Sequence, residues 1–248
     1  MQRGTIQFKA DYGVDAPKTV CQFLLFGALG LICGLLLVKF AGHHRPFIIN
    51  LLAGIGIWGG GSWMLMAVLM VFGSKVLKVR LRERLLDKIP WRGDERVLDV
   101  GCGRGLMLIG VAKRLTSGSV TGVDLWQAED QSGNNPETTR ANARAEGVEG
   151  RIQIQTGDAR QLPFEANQFD AVVSSWAVHN IYQRVGRELA LREIVRVLKP
   201  GGRLLLVDIR HACEYADFLK QAALADVQLS APNYLFVIPS HAVTGREN

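Results

Sequence analysis

The sequence of 248 residues predicts an α/β domain with a parallel sheet, preceded by a two-helix transmembrane hairpin. Two long apolar runs lie before residue 73, whereas the composition after residue 75 is ordinary for a soluble domain. Short leucine-rich or β-branched runs then alternate with helical segments, which is typical of a parallel sheet. A glycine-rich turn at residues 101–105, Gly-Cys-Gly-Arg-Gly, follows the first of these runs.

Residues 20–41 and 47–72 are the two apolar runs, and we predict a membrane-spanning helix for each. Lys39 is the one charged residue of the first run, and the second has none. About 20 apolar residues in a helix cross a bilayer core, so both runs are long enough. The first run lacks a compact basic start and a convincing cleavage site, which disfavours a signal peptide. Buried helices of a larger globular fold, or an oligomer contact, are the alternative.

Glycines four residues apart, Gly30 with Gly34 and Gly56 with Gly60, allow close approach of helices. A chance match is an equally good explanation in so glycine-rich a segment, and a homo-oligomer formed through these helices stays open. No charged side chain lies well inside either run, so we predict an anchor rather than a transport path.

Basic residues set the predicted orientation. They crowd the exit of the second run, whereas the connecting loop offers Arg45 and, at its edge, Lys39; the crowded set is Lys75, Lys78, Arg80, Arg82 and Arg84. The positive-inside rule therefore predicts an integral membrane protein with both termini and the catalytic domain in the cytoplasm.

The chain divides into four predicted parts: a cytoplasmic segment at 1–19, the hairpin at 20–73, a basic amphipathic linker helix at 74–92 and a domain at 93–248. The linker helix could lie on anionic lipid headgroups or pack on the sheet, and both interpretations stay open. The net charge of +6 is concentrated here. No basic stripe with interleaved aromatic residues follows, so we predict no nucleic-acid partner.

The four cysteines show neither a paired spacing nor a CxxC motif; they are Cys21, Cys33, Cys102 and Cys213. We therefore predict no disulfide framework and no metal site.

The glycine turn joins a predicted buried strand at 96–100 to a predicted helix at 106–115. Glycines there let the backbone turn tightly and approach a ligand, and the helix N-terminus offers free N–H groups. A second strand at 119–123 ends at Asp124, which could accept hydrogen bonds from both hydroxyls of a ribose. Leu106 stands where a dinucleotide fingerprint needs Gly or Ala, and no P-loop lysine follows. The pattern therefore predicts a nucleoside ligand without a required pyrophosphate.

Residues 97–105, Val-Leu-Asp-Val-Gly-Cys-Gly-Arg-Gly, resemble motif I of class I S-adenosylmethionine-dependent methyltransferases of the small-molecule, type 11 kind. The resemblance extends over residues 75–248. It is supported in order by 156–159 (Thr-Gly-Asp-Ala), 169–175 (Phe-Asp-Ala-Val-Val-Ser-Ser) and 198–203 (Leu-Lys-Pro-Gly-Gly-Arg). It implies a Rossmann-like seven-stranded methyltransferase fold. An amphipathic helix at 187–198, a strand at 203–207 and a final pair of strands within 227–238 fit that fold.

The resemblance also implies which residues bind the cofactor, S-adenosylmethionine. The loop would wrap its methionine part with Asp99 positioning it, Asp124 would hold the ribose, and Asp158 with Ala159 would lie at the adenine amino group. The full predicted set is Asp99, Gly101, Cys102, Gly103, Gly105, Asp124, Leu125, Asp158, Ala159 and Ser174.

Candidate catalytic bases follow the fourth and fifth strands, at His179 and His211. Histidine titrates near neutral pH, although each could equally cap or pack its loop. Asp208 is interpreted as structural and Cys102 as a small filler rather than a nucleophile. Residues 126–140 would border the adenosine or only connect two elements.

We therefore predict a membrane-anchored methyltransferase that acts on a small, lipophilic or lipid-like acceptor at the cytoplasmic surface. Ser174-Ser175-Trp176 replaces the Asn-Pro-Pro-Tyr type of sequence used on nucleic acids and protein amides, which favours small molecules. A non-catalytic S-adenosylmethionine sensor or scaffold at the membrane is the alternative. A nicotinamide oxidoreductase is a third hypothesis, and Leu106 disfavours it.

Overall fold

The two apolar runs form long helices in the computed structural model, which describes residues 10–40, 46–127, 133–234 and 239–248. Helix α1 spans Pro17–Phe40 and helix α2 spans Phe47–Phe72. Both agree closely with the predicted bounds. Most of the loop between them, including Arg45, lies outside the described residues, as do residues 1–9.

Helices α1 and α2 pack backbone to backbone through their glycines. A Cβ atom added at Gly60 would lie 2.6 Å from the carbonyl oxygen of Gly27, and one added at Gly56 would lie 2.8 Å from that of Gly30. Only residues without a side chain permit such an approach. The glycine spacing therefore serves packing within one chain, and an oligomer formed through these helices stays a prediction.

Replacing Gly60 with leucine is expected to separate the two helices. The new side chain would meet the backbone of Gly27 and Leu31, and such overpacking costs about 1–3 kcal/mol. Gly59 is the matched control, because a Cβ there has nothing within 4 Å. The thermal unfolding midpoint in detergent should fall for Gly60→Leu and stay unchanged for Gly59→Leu. An equal effect of the two substitutions would contradict this packing.

The outer faces of the two helices expose large apolar side chains. Leu25 is 65% exposed, Ile55 61% and Trp58 80%. By length and composition, two helices of the described chain could cross a membrane. Membrane crossing itself stays a prediction at this point.

A π-helical turn, Gly73–Leu77, continues α2 into helix α3 (Lys78–Leu86). The predicted linker helix at 74–92 thus ends earlier and is not separate from the hairpin. Lys78 and Arg82 of α3 are buried rather than facing outward, and a Cβ at Gly110 would lie 2.5 Å from Arg82 Cδ. The structure therefore shows this helix packed on the domain, and its contact with lipid headgroups stays a prediction.

Seven strands form one sheet in the order β3-β2-β1-β4-β5-β7-β6. Only β7 runs antiparallel to its neighbours. The strands are β1 (Arg96–Val100), β2 (Ser119–Asp124), β3 (Ile152–Thr156), β4 (Phe169–Ser175), β5 (Leu198–Asp208), β6 (Ala225–Leu229) and β7 (His241–Arg246). The helices between them are α4 (Leu106–Ala112), α5 (Pro136–Ala145), α6 (Arg184–Val197) and α7 (Ala212–Gln221). Apolar clusters cover both faces of the sheet.

The predicted Rossmann-like seven-stranded architecture is confirmed, and its strand order reverses between β1 and β4. Ligands of open α/β sheets bind beyond the carboxyl ends of the strands at such a reversal. The prediction of both final strands within 227–238 is wrong, because β7 lies at His241–Arg246. Its sequence has little apolar character of its own. These residues form a strand because they pair with β5, and this pairing buries Ala242 and Val243.

Candidate active site

The glycine loop after β1 lies over the carboxyl ends of β1 and β2. The N–H groups of Gly101 and Cys102 donate to the Val123 carbonyl, at 2.8 and 3.1 Å. Gly101 has a φ of +71°, and a Cβ there would lie 2.2 Å from the Cβ of Ala177. Glycine is therefore required at this position both for its backbone conformation and for the approach of the segment after β4.

Asp124 fixes the loop at the end of β2. Its Oδ2 accepts the N–H of Gly103 at 2.8 Å, and its Oδ1 accepts the N–H of Trp126 at 2.7 Å and the amide of Asn134 at 3.2 Å. An ionised carboxylate offers about four acceptor positions, so capacity for a ligand hydroxyl remains.

Asp99 lies beneath the loop and is 1% exposed. Its Oδ2 accepts the N–H of Leu108 at 2.7 Å, whereas its buried Oδ1 accepts no hydrogen bond from any residue that the structure describes. Burial raises the pKa of this carboxyl group to about 8. A buried acceptor without a partner is costly, so a cation next to this carboxyl group would favour its ionised form.

One cavity of about 730 Å³ runs along this edge of the sheet. Its volume lies toward the upper end of the range typical of ligand sites, which leaves room for more than one molecule. The predicted site residues that line it are Gly101, Cys102, Gly103, Asp124, Leu125, Asp158, Ala159 and His179. Burial raises the pKa of the Cys102 thiol, which agrees with its interpretation as a filler rather than a nucleophile.

Four other predicted residues do not line the cavity, and the first is Asp99, which is buried beneath the loop. Gly105 caps α4 with a left-handed backbone. Ser174 is buried and its hydroxyl donates to the Val100 carbonyl at 2.7 Å, so the cavity is lined by its neighbour Ser175 instead. His211 lies at the start of α7, with Nδ1 3.6 Å from Glu214 Oε2, and the structure does not bring it to the cavity.

Asp158 lines the cavity but already has a partner. Arg160 Nε lies 3.0 Å from both carboxylate oxygens of Asp158, and this guanidinium holds the pKa of Asp158 below its usual range. A role at an adenine amino group would therefore compete with Arg160.

His179 lies against a buried carboxylate. Its Nδ1 is 2.5 Å from Asp208 Oδ1, and its backbone N–H donates to Asp208 Oδ2 at 3.1 Å. The hydroxyl of Tyr215 donates to the same Oδ2 at 3.2 Å. The contact at Nδ1 lacks the geometry of a hydrogen bond, so this nitrogen lies buried beside the carboxyl group without a hydrogen-bond partner among the described residues. Through its Oδ2, Asp208 therefore holds both the segment that carries His179 and helix α7.

Arg187 holds the segment that carries His179. It is buried, and its Nη1 donates to the carbonyls of Ile181 and Tyr182, each at 2.9 Å. Its other nitrogens donate to Glu214 on α7, at 3.1 and 2.8 Å. This network connects the loop after β4 to the helix after β5.

Sequence reasoning missed a second group of cavity residues near the hairpin. We call residues 10–16 the strap; it supplies Tyr12, Asp15 and Ala16, and the helices add Met70 and Lys78. The strap is fixed to α5, because Asp11 and Asn142 exchange two hydrogen bonds of 2.9 Å. The acidic residues of the strap and the basic residues in 75–82 could have indicated that these two segments meet. Charge alone, however, does not specify which residues pair.

The turn-rich stretch 126–140 borders the cavity through Gln127 and Asn134. Asn135 caps α5 by accepting the N–H of Thr138 at 2.8 Å. Glu129 and Asp130 lie outside the described residues. Among the residues that are described, no group of three His, Cys, Asp or Glu side chains could hold a metal ion.

Comparison with known proteins identifies the ligand class. Residues 98–206 match the family model described as methyltransferase domain. The chain is 35% identical over 130 residues to methyltransferase GfsG of Streptomyces halstedii, covering 52% of this chain and 43% of that protein. It is 32% identical over 128 residues to the ubiquinone/menaquinone biosynthesis C-methyltransferase UbiE of Geotalea daltonii, covering 51% of each. The cofactor is S-adenosylmethionine.

The chain thus spans about half the length of these curated relatives. Among solved structures, the [4+2]-cyclase SpnF superposes with a TM-score of 0.54 at 20% identity, over 68% of this chain and 81% of that one. That likeness shows the fold alone, since one fold carries different activities.

The residues present fit this cofactor. Gly101 and Gly103 line the cavity, Asp99 keeps an unpartnered buried Oδ1 beneath this loop, and Asp124 suits a ribose.

Binding of S-adenosylmethionine is expected to strengthen as the pH rises from about 6 to about 8, because a cation favours the ionised form of Asp99. Without ligand, Asp99 keeps its proton below about pH 8, so binding at pH 7 should release close to one proton. Calorimetry in buffers of different ionisation enthalpy measures this release. The Asp99→Asn variant should lose this proton release. Subtracting its signal from that of the original protein also removes the contribution from titration of the ligand amine. If the variant still releases a proton, the proton comes from a group other than Asp99.

Proposed function

We propose that the protein is a membrane-anchored methyltransferase that transfers a methyl group from S-adenosylmethionine to a small lipophilic acceptor at the cytoplasmic membrane surface. One observation carries the proposal: a single cavity is lined both by the cofactor loop, at Gly101 and Gly103, and by residues at the ends of the apolar helices, Ala16 and Met70. An acceptor in this cavity would lie between the cofactor and the hairpin.

Three observations support anchoring in a bilayer. The helices expose leucine, tryptophan and isoleucine side chains on their outer faces. Exposure of so much apolar surface to water would be unfavourable in free energy. The two helices pack mainly against each other, and the large apolar side chains of their outer faces stay exposed. Lys75, Arg80 and Arg84 are exposed just beyond α2, and basic residues there favour the cytoplasmic side.

The bound cofactor supplies a methyl group on a positively charged sulfur. Alignment of acceptor and methyl provides much of the acceleration in such a displacement. The loop after β4, fixed by Arg187, contributes the cavity wall at Val178 and His179. His179, with Asp208 at its Nδ1, accepts a proton from an oxygen or carbon acceptor.

The names of two relatives and the apolar hairpin support the proposed acceptor class. One relative takes its name from ubiquinone and menaquinone biosynthesis and another from 27-O-demethylrifamycin SV. Together with the apolar hairpin, these names favour a lipophilic small molecule as acceptor for this chain.

Purified full-length protein incubated with methyl-labelled cofactor and fractionated cell extract tests the proposal. We expect label in a lipid-soluble compound that partitions with the membrane fraction. Label only in protein or nucleic acid would overturn the acceptor class. Binding of the cofactor without formation of S-adenosylhomocysteine with any fraction would instead support a sensor or scaffold, and NAD competing for the site would support an oxidoreductase.

A further inference from the structure

The end of the cavity nearest the hairpin is formed by the strap. Tyr12, Asp15 and Ala16 face it together with Met70 of α2 and Lys78 of α3. The strap connects directly to α1, which begins at Pro17. This end of the cavity therefore belongs to both the catalytic domain and the hairpin.

The polar groups of this wall satisfy one another. Lys78 is 1% exposed, and its Nζ donates to the carbonyls of Tyr12 and Gly13 at 2.8 and 3.3 Å. It also donates to both carboxylate oxygens of Asp15, at 3.2 and 3.1 Å, while the Asp15 N–H donates to Ser74 Oγ at 3.1 Å. A polar ligand group would have to displace these partners, which carries the penalty of leaving buried groups unsatisfied.

What this wall offers a ligand is therefore apolar surface. Ala16 and Met70 present only carbon and sulfur side-chain atoms. The ring of Tyr12 packs against the Arg82 guanidinium, 5.3 Å from ring centroid to Cζ, and its hydroxyl lies 3.4 Å from Glu146. The rest of the cavity lining includes the polar residues Asp124, Asp158 and His179.

The apolar end also borders the surface that would meet lipid. Ala16 is exposed and immediately precedes α1, and Met70 lies in the last turn of α2. Val71 and Phe72 beside it are 37% and 47% exposed. A chain of methylene groups that leaves the cavity here would pass onto the apolar face of the hairpin.

We infer that the strap and Met70 form a subsite for the apolar tail of an amphiphilic acceptor, whose polar end reaches His179 while the tail extends toward the bilayer. This inference rests on the proposed function and adds the location of the tail. Burial of each methylene group contributes favourably to binding, so the subsite selects acceptors by tail rather than by head.

Photolabelling tests this subsite in the full-length protein in phospholipid nanodiscs. The probe is an alkylphenol with a diazirine in its chain, added with saturating S-adenosylhomocysteine, and labelled residues are mapped by mass spectrometry. We expect labels on Tyr12, Ala16 and Met70 in addition to lipid-facing residues such as Leu25 and Trp58. Labels confined to the lipid-facing residues would overturn the subsite.

A substitution pair at Met70 sharpens the result. Met70→Trp fills the subsite and should lower labelling of the strap by about fivefold or more, whereas Met70→Leu conserves the volume and should leave it unchanged. Labelling of Trp58 serves as the internal reference in both. Equal strap labelling in the two variants would contradict the subsite.

The outcomes separate this inference from the proposed function. If Leu25 and Trp58 take no label, the hairpin is not in lipid and the anchoring itself is wrong. If they are labelled and the strap is not, only the tail subsite is wrong. Cofactor binding, measured by calorimetry on the same samples, tests the methyltransferase site independently.

Discussion

Replacing Asp124 with alanine is expected to weaken binding of S-adenosylmethionine by about 100-fold or more. A hydrogen bond to a charged acceptor contributes about 1.5–3 kcal/mol, and Asp124 has capacity left for one from the cofactor ribose. The substitution also releases the N–H of Gly103, which Asp124 fixes at 2.8 Å, so the glycine loop loses its position. Isothermal titration calorimetry of detergent-purified protein measures the effect.

Asp170→Asn is the matched control for Asp124→Ala. Asp170 lies at the start of β4, at the end of the strand away from the glycine loop, where it pairs with Lys199 at 3.0 Å. We expect its cofactor affinity to equal that of the original protein. Unchanged binding by the Asp124 variant, or no binding by the original protein, would show that the loop does not hold S-adenosylmethionine as described.

Replacing His179 with alanine is expected to lower the rate of methyl transfer by about 100- to 1,000-fold for an oxygen or carbon acceptor, the usual contribution of a general base. Cofactor affinity should stay within about threefold, because the residue acts on the acceptor rather than on the ribose or the methionine part. Release of S-adenosylhomocysteine with the active extract fraction measures the rate, and calorimetry measures the affinity.

The Asp208→Asn variant keeps His179 but changes the group that lies beside its ring, so it tests whether Asp208 matters for the rate. The amide keeps the shape of the side chain but removes the charge beside Nδ1, so the rate should fall while cofactor binding persists. His211→Ala is the control, since His211 does not line the cavity. A larger loss in the His211 variant than in the His179 variant would reverse the assignment of the base.

Much of the fold could be predicted from sequence because the signals are local. The strand at Arg96–Val100 and the glycine turn after it lie within ten consecutive residues, and each has a direct physical requirement. The apolar helices were equally accessible, since length and composition define them. The last strand was not, because its position depends on pairing with β5.

The cofactor part of the candidate site was predictable for the same reason. Asp124 follows a strand end, and the loop before it has a recognisable spacing. Sequence did not indicate that Ser175 lines the cavity and Ser174 does not: side chains alternate along β4, so neighbouring residues face opposite sides of the sheet. Sequence could not decide between His179 and His211, since each follows a strand and only the surrounding packing distinguishes them.

The sequence by itself determined a glycine loop, an acidic strand end and two apolar helices, because each depends on neighbours in the chain. Only the tertiary structure showed that Asp208 lies against His179 and that the strap lines one end of the cavity. Asp11 contacts Asn142 and Tyr12 contacts Lys78 across long separations in sequence. Such contacts form only when the sheet and helices have packed, so no local pattern of residues can specify them.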